Sequence, residues 1–352
     1  MTRIVFITQQ VDPWHPALAA TVPKIGALAA LVDEVVVLAD GAVEGVLPGN
    51  CRVRTFRASR KVGRGARFEA ALSRELPGLR GGAVVAHMCP IYAVLAAPLV
   101  RPLRVPLLLW FTHWRASGLL RAAERVSTAV VSVDQRSFPL ESGKVRAIGH
   151  GIDLSEFSCS GRDTKETLQP SVARLDLLAL GRYSRAKGLE VVLRGVASLG
   201  EDVTLDVHGP ALSGDEQAHR NELEQLVVEL GLDGRVTLGE AVPRTQVPSL
   251  FATHDALVNN MRAGAPDKVV YEAAASCLPV LASNPVFDSF LDPEQRFSRE
   301  GPEELADRLR EFAALDASAR AALGKRLRER VRDGHSVESW ARGVLGAAGI
   351  IR

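Results

Sequence analysis

Short, wholly apolar runs recur along this chain, many of them followed by a stretch long enough for a helix. Val35-Val36-Val37-Leu38 and Leu107-Leu108-Leu109-Trp110 contain no polar position at all. A strand with one wet face would alternate in polarity. These runs must therefore be covered on both faces, as in a parallel sheet flanked by helices. Candidate strands, several of them such runs, fall at 3–8, 34–39, 52–56, 83–88, 106–112, 129–133 and 145–149, with helical stretches such as 18–31 and 118–126 between many of them. After a polar, aperiodic segment at 153–171 the alternation restarts. Strands are predicted at 175–180, 203–207, 235–238, 256–259 and 279–282, and helices at 189–198, 215–230 and 269–276. Strand and helix in turn imply βαβ units. The chain of 352 residues holds enough material for two cores. The predicted fold class is α/β, with two doubly wound Rossmann-like domains. The expected boundaries are a first domain at 1–155, a linker at 156–172, a second domain at 173–335 and a final helix at 336–352 that returns to the first domain. Ligands of such sheets bind beyond the carboxyl ends of the strands. Two of them face to face would enclose a cleft there.

Two segments of the second half carry the chemistry. The first is Gly181-Arg182-Tyr183-Ser184-Arg185-Ala186-Lys187-Gly188, between a buried strand and a helix. Gly181 allows a sharp turn at the strand end. A helix N-terminus favours anions, and a guanidinium fork with an ammonium beside it would clamp a diphosphate. The same residues would equally make a solvated basic turn. The second segment runs from Asn259 to Ala282, a strand, a loop rich in Gly and Pro, a helix and another strand. Asp267 is placed to cap that helix. Glu272 lies one turn inside it, where a carboxylate can accept two ribose hydroxyls or can simply face water.

Together the two segments resemble glycosyltransferase family 4, whose fold is GT-B. Gly181, Arg182, Lys187 and Gly188 match the family's Gly-Arg and Lys-Gly pairs. Glu272, Ala273, Ala275, Pro279 and Val280 match the second half of its two-glutamate motif. The resemblance implies a retaining, metal-independent transfer of sugar from a nucleotide-sugar donor, a UDP- or GDP-sugar, with no cofactor. Arg182 and Lys187 would hold the donor diphosphate and Glu272 the ribose. His208 and Gly209 match the turn after the second strand of this domain, and 238–243, including Val242, the segment whose backbone binds the base. Gly149-His150-Gly151-Ile152-Asp153 matches the domain junction. The first glutamate of the motif is replaced by Gly264, which implies that 264–268 meets the donor through backbone N–H groups or Lys268. A non-transferring epimerase or phosphorolytic enzyme, or an inactive donor-binding protein, fits the same pattern.

In the first domain, His113 closes the run Trp110-Phe111-Thr112-His113-Trp114 at a strand's carboxyl end, and the resemblance implies a catalytic place at the donor phosphate or sugar. His87 ends another strand. The loop Asp12-Pro13-Trp14-His15 stands where the family has a Gly-Gly pair. Asp12, Trp14, His15 and His87 are the acceptor-site candidates, for a small-molecule or glycan acceptor. The segment 52–67 carries Arg52, Arg54, Arg57, Arg60, Lys61, Arg64 and Arg67 and no acid, a pattern suited to an anionic acceptor, to acidic lipids or to a solvated face.

Composition narrows the partners. Lys+Arg 43 against Asp+Glu 41 leaves +2, too little for nucleic-acid binding through bulk charge. Four cysteines with no CxxC pair signal no metal site and no disulfide scaffold, and they fit a reducing compartment. The first residues run straight into a strand and not into a leader, and the apolar stretch at 93–111 is broken by Arg101, Arg104 and prolines. A cytoplasmic monomer or homodimer is expected.

Overall fold

The computed structural model describes residues 1–15, 18–159 and 174–351, so most of the expected linker lies outside the described residues. The chain divides into two compact units, Met1–Asp153 with Gly334–Arg352, and Leu154–Asp333.

The first unit holds a seven-stranded sheet. Its strands are β1 (Arg3–Val11), β2 (Glu34–Ala42), β3 (Cys51–Thr55), β4 (Ala83–His87), β5 (Leu107–Trp110), β6 (Ala129–Ser132) and β7 (Val145–Ala147). The order is β3-β2-β1-β4-β5-β6-β7, and every pairing is parallel. Val35 to Ala39 are all shut off from solvent, the two-sided burial that their unbroken apolar run demands. The crossover helices are α1 (Thr21–Ala29), α2 (Lys61–Ser73), α3 (Pro90–Val100) and α4 (Gly118–Val126). Helix α2 is absent from the sequence reading. Gly63, Gly65 and four basic residues between 60 and 67 mask its periodicity, and only Phe68, Ala71 and Leu72 are buried by it.

The second unit holds β8 (Leu175–Leu180), β9 (Val203–His208), β10 (Val236–Gly239), β11 (Ala256–Asn259) and β12 (Val280–Ala282) in the parallel order β10-β9-β8-β11-β12. Its helices are α5 (Leu189–Ala197), α6 (Gly214–Glu229), α7 (Val247–Thr253), α8 (Lys268–Ala275), α9 (Pro302–Ala313) and α10 (Ala317–Gly334). One core joins β8 and β9 to α5, α6 and α9 through Leu177, Val192, Leu205, Leu223 and Leu309.

The last helix, α11 (Val337–Ala347), packs on α1 in the first unit. The chain re-enters that unit against Gly149-His150-Gly151-Ile152-Asp153. A Cβ on Gly149 would stand 1.8 Å from the Gly334 carbonyl oxygen, and the Gly151 and Ile152 amides both donate to the His335 carbonyl. The two glycines thus let outgoing and returning strands of chain touch.

The cysteine reading needs a correction. Cys159 and Cys277 are joined by a disulfide across 118 positions, because folding brings their Cα atoms to 5.2 Å. Spacing in sequence gives no hint of a pair that only the tertiary fold creates. Among the described residues no helix is long and apolar enough to cross a membrane.

Candidate active site

The carboxyl ends of β8, β9 and β11 bring the two sequence motifs of the second unit together. Strand β8 ends at Leu180 and the chain turns through Gly181, whose φ of +141° only glycine adopts without strain. Gly209, after β9, lies so close that a Cβ there would stand 2.0 Å from the Gly181 carbonyl oxygen. A Cβ on Gly181 would in turn strike the end of Lys187 at 2.2 Å. Gly209 is required by its backbone contact and Gly181 by its φ. The turn is pinned from below by Tyr183, fully buried, whose hydroxyl donates to the Gly239 carbonyl at 2.7 Å. Arg220 stacks over the same ring.

Arg182 leaves this turn 58% exposed, held by Glu216 at 3.3 Å. Lys187 is different. It is only 14% exposed, donates to the Leu180 carbonyl and forms an ion pair with Asp267. Asp267 occupies the N-cap position of α8 but makes no side-chain cap. The capping expected from sequence is corrected: its carboxylate reaches instead to Lys187 and to Asn259 Nδ2, 2.8 Å away. An ammonium and a side-chain amide outcompete the helix amides for it. The first turn of α8 is therefore left without a side-chain cap, and so is that of α5, whose N-cap is Gly188. Buried Asn260 completes the junction by donating to the Gly188 and Arg299 carbonyls.

Glu272 is 7% exposed, and its Oε1 accepts from Lys268 at 2.8 Å and from Arg244 at 2.9 Å. Burial alone would raise this carboxyl, but the two cations outweigh it and hold the group below its ordinary value. Arg244 also pairs with Glu156 at 2.7 Å and lies over the Phe157 ring. The carboxylate is thus ionised and fixed in position through Oε1. Gly264 has φ +116°, a conformation that strains any side-chain-bearing residue, so the loop as folded has a reason to lack the family's first glutamate here. His208, partly exposed at the end of β9, lies within 3.3 Å of the Glu240 carbonyl through Nδ1, and Val242 is half-buried beyond β10. Tyr183, Arg244, Asn259 and Asn260 were given no role in the sequence. Tyr183, Asn259 and Asn260 lie inside the two segments and Arg244 outside them, but their partners are distant in sequence and are recognisable only once the strand ends are placed.

The first-unit candidates separate. His113 is half-buried, stacks on Trp114 and accepts the Arg115 amide on Nδ1 at 2.9 Å. That bond leaves its proton on Nε2. Burial first, and Arg115 second, lower its pKa, so the ring is neutral and can donate from Nε2. Asp12 accepts the Trp14 amide, His15 Nδ1 accepts the Leu18 amide, and Trp14 is 71% exposed. His87 departs from the acceptor role expected of it. It is 5% exposed, stacked parallel to Trp110 and edge-on to Trp340, and burial with Lys24 nearby drives its pKa well down. A strand-end position does not by itself bring a side chain to the surface.

Residues 163–330 match the family model described as "Glycosyl transferases group 1". The match lies within the second unit. The match spans the Gly181–Gly188 turn, Asp267 and Glu272. No curated protein sequence matches the chain. Solved structures do. Anabaena HepE in complex with UDP superposes with a TM-score of 0.76 at 19% identity, over 100% of both chains. A glycosyltransferase from Rickettsia africae gives 0.75 at 13%, over 99% and 98%. Sucrose-phosphate synthase from Thermosynechococcus elongatus gives 0.70 at 19%, over 98% and 97%. At these identities the likeness is one of fold, and over the whole chain that fold is GT-B.

Proposed function

We propose that the protein transfers a sugar from a nucleotide-sugar donor, a UDP- or GDP-sugar, to a small-molecule or glycan acceptor, with retention of configuration and without a metal. The observation that carries this reading is the convergence of Arg182, Lys187, two uncapped helix N-termini and the ordered Glu272 carboxylate on one end of one sheet. A diphosphate there would meet an exposed guanidinium and helix amides. Lys187 would exchange part of its contact with Asp267 for a phosphate oxygen. Glu272 Oε2 would take the ribose hydroxyls, and Gly264 to Lys268 the sugar. Charge building on the departing diphosphate would be met by groups already in place, where electrostatic catalysis is most effective. His113, as a neutral Nε2 donor, is proposed for the donor phosphate or sugar, and the Asp12, Trp14 and His15 loop for the acceptor. That HepE was solved with UDP supports the choice of donor class.

Thermal unfolding against UDP, GDP, ADP, CMP and dTDP tests the reading. One nucleotide should raise the midpoint through binding to the folded state. Arg182→Ala should abolish that rise and lower turnover about 100-fold or more, while moving the ligand-free midpoint little, since the side chain is exposed. A folded protein that responds to no nucleotide would sink the proposal.

A further inference from the structure

The basic segment at 52–67 is not one patch. Arg52 and Arg54 are absorbed into the sheet edge, where Glu34 and Glu75 neutralise them at 2.5–3.0 Å. Arg57, Arg64 and Arg67 are instead turned to another place, a pocket of about 580 Å³ that they line with Gln10, Asp40 and Ser59. Gln10 and Asp40 lie near the carboxyl ends of β1 and β2, and Arg57 just past that of β3. This is the end of a parallel sheet at which ligands bind.

The charges in the pocket do not cancel. Three guanidiniums face one carboxylate, and Asp40 is committed to Arg64 at 3.2 Å. Arg57 and Arg67 have no carboxylate partner among the described residues, and Arg67 donates to the Arg57 carbonyl, which holds the two side by side. Arg64 Nε and Asp40 Oδ1 are closed off from solvent with no hydrogen-bond partner among the described residues, so the floor is an incompletely satisfied ionic group and not a solvated surface pair. Helix α2 begins beside the pocket with no side-chain cap and no acid in its first turn, and its N-terminal amides add to the positive potential.

We propose that this pocket is a subsite for a phosphomonoester. One guanidinium fork would suffice for a carboxylate. Two uncompensated forks, a third anchored at the floor and a serine hydroxyl match a compact dianion with three terminal oxygens. The volume admits a sugar-sized body attached to it. Resting on the transfer reading above, the inference names the acceptor class: a molecule bearing a phosphate that the first unit grips through Arg57, Arg64 and Arg67.

Calorimetric titration of the full chain with glucose 6-phosphate, and with glucose as the neutral control, tests this. The phosphate ester should bind at least tenfold more tightly than glucose. Arg57→Ala/Arg67→Ala should lose at least tenfold of that affinity. Arg182→Ala should keep it, which separates the pocket from phosphate binding in the second unit. Equal affinity in the wild type and the double variant, or loss in Arg182→Ala alone, overturns the proposal. Co-sedimentation with phosphatidic acid vesicles that depends on Arg57 and Arg67, without binding of the soluble ester, supports the site and assigns the phosphate to a lipid headgroup. UDP binding is followed in the same samples. UDP bound with no arginine-dependent phosphate binding sinks the pocket and spares the transfer reading. Arginine-dependent phosphate binding with no nucleotide bound does the reverse.

Discussion

Glycines in the second unit's loops are fixed by backbone conformation at Gly181 and Gly264 and by a backbone contact at Gly209. Gly264 is the instructive case. Read against the family motif it is a missing glutamate, and read in the structure it is a residue at φ +116°. Restoring the motif by Gly264→Glu should therefore destabilise the protein, by about 1–2 kcal/mol from left-handed backbone strain. Urea unfolding of the variant measures this. A neutral or stabilising effect would show that the loop adapts to a glutamate and that the departure is chemical and not conformational. Lys187 teaches a related point. Its motif position made it a free cation in sequence, whereas folding gives it Asp267 as a standing partner, a residue 80 positions away.

At the scale of the element, helix α8 and the junction at His335 each make stability depend on pH, in different windows. Glu272 has a folded pKa below its ordinary value of 4.5. Its contribution is present above that value and is lost as pH falls through the folded pKa. The His335 ring is held down to about 4 by burial, against 6.5 for a free imidazole. The unfolded chain then binds more protons between those limits. Stability from this group is complete above about 6.5 and falls as pH drops toward 4. Between pH 7 and pH 5 the loss should be about 1–2 kcal/mol, and His335→Asn should reduce that pH dependence in denaturant titrations at the two pH values. An unchanged slope in the variant would place the dependence elsewhere.

At the scale of the whole molecule, the Cys159–Cys277 bond closes a loop of 118 positions within the second unit, Leu154–Asp333. By loop-closure entropy its removal should cost up to about 4–5 kcal/mol. Thermal unfolding with and without reductant, and of Cys159→Ser, would show it as a lowered midpoint. Four free thiols in the unreduced, denatured protein would refute the bond. The architecture itself was legible from sequence. Unbroken apolar runs such as Val35–Leu38 are a one-dimensional record of two-sided burial, and strand–helix alternation leaves few topologies to choose from. The Gly181–Gly188 turn was legible too, because a strand end, a glycine and a helix start are all local. What only the tertiary structure decided are the pairings between distant positions. These are Lys187 with Asp267, Arg244 with Glu272, Cys159 with Cys277, the burial of His87, and the division of one basic run into neutralised Arg52 and Arg54 and uncompensated Arg57 and Arg67. The reason is physical. Backbone conformation and burial pattern are set largely by neighbours in sequence. A side chain's charge state and partners are set by whatever the fold brings within a few ångströms of it.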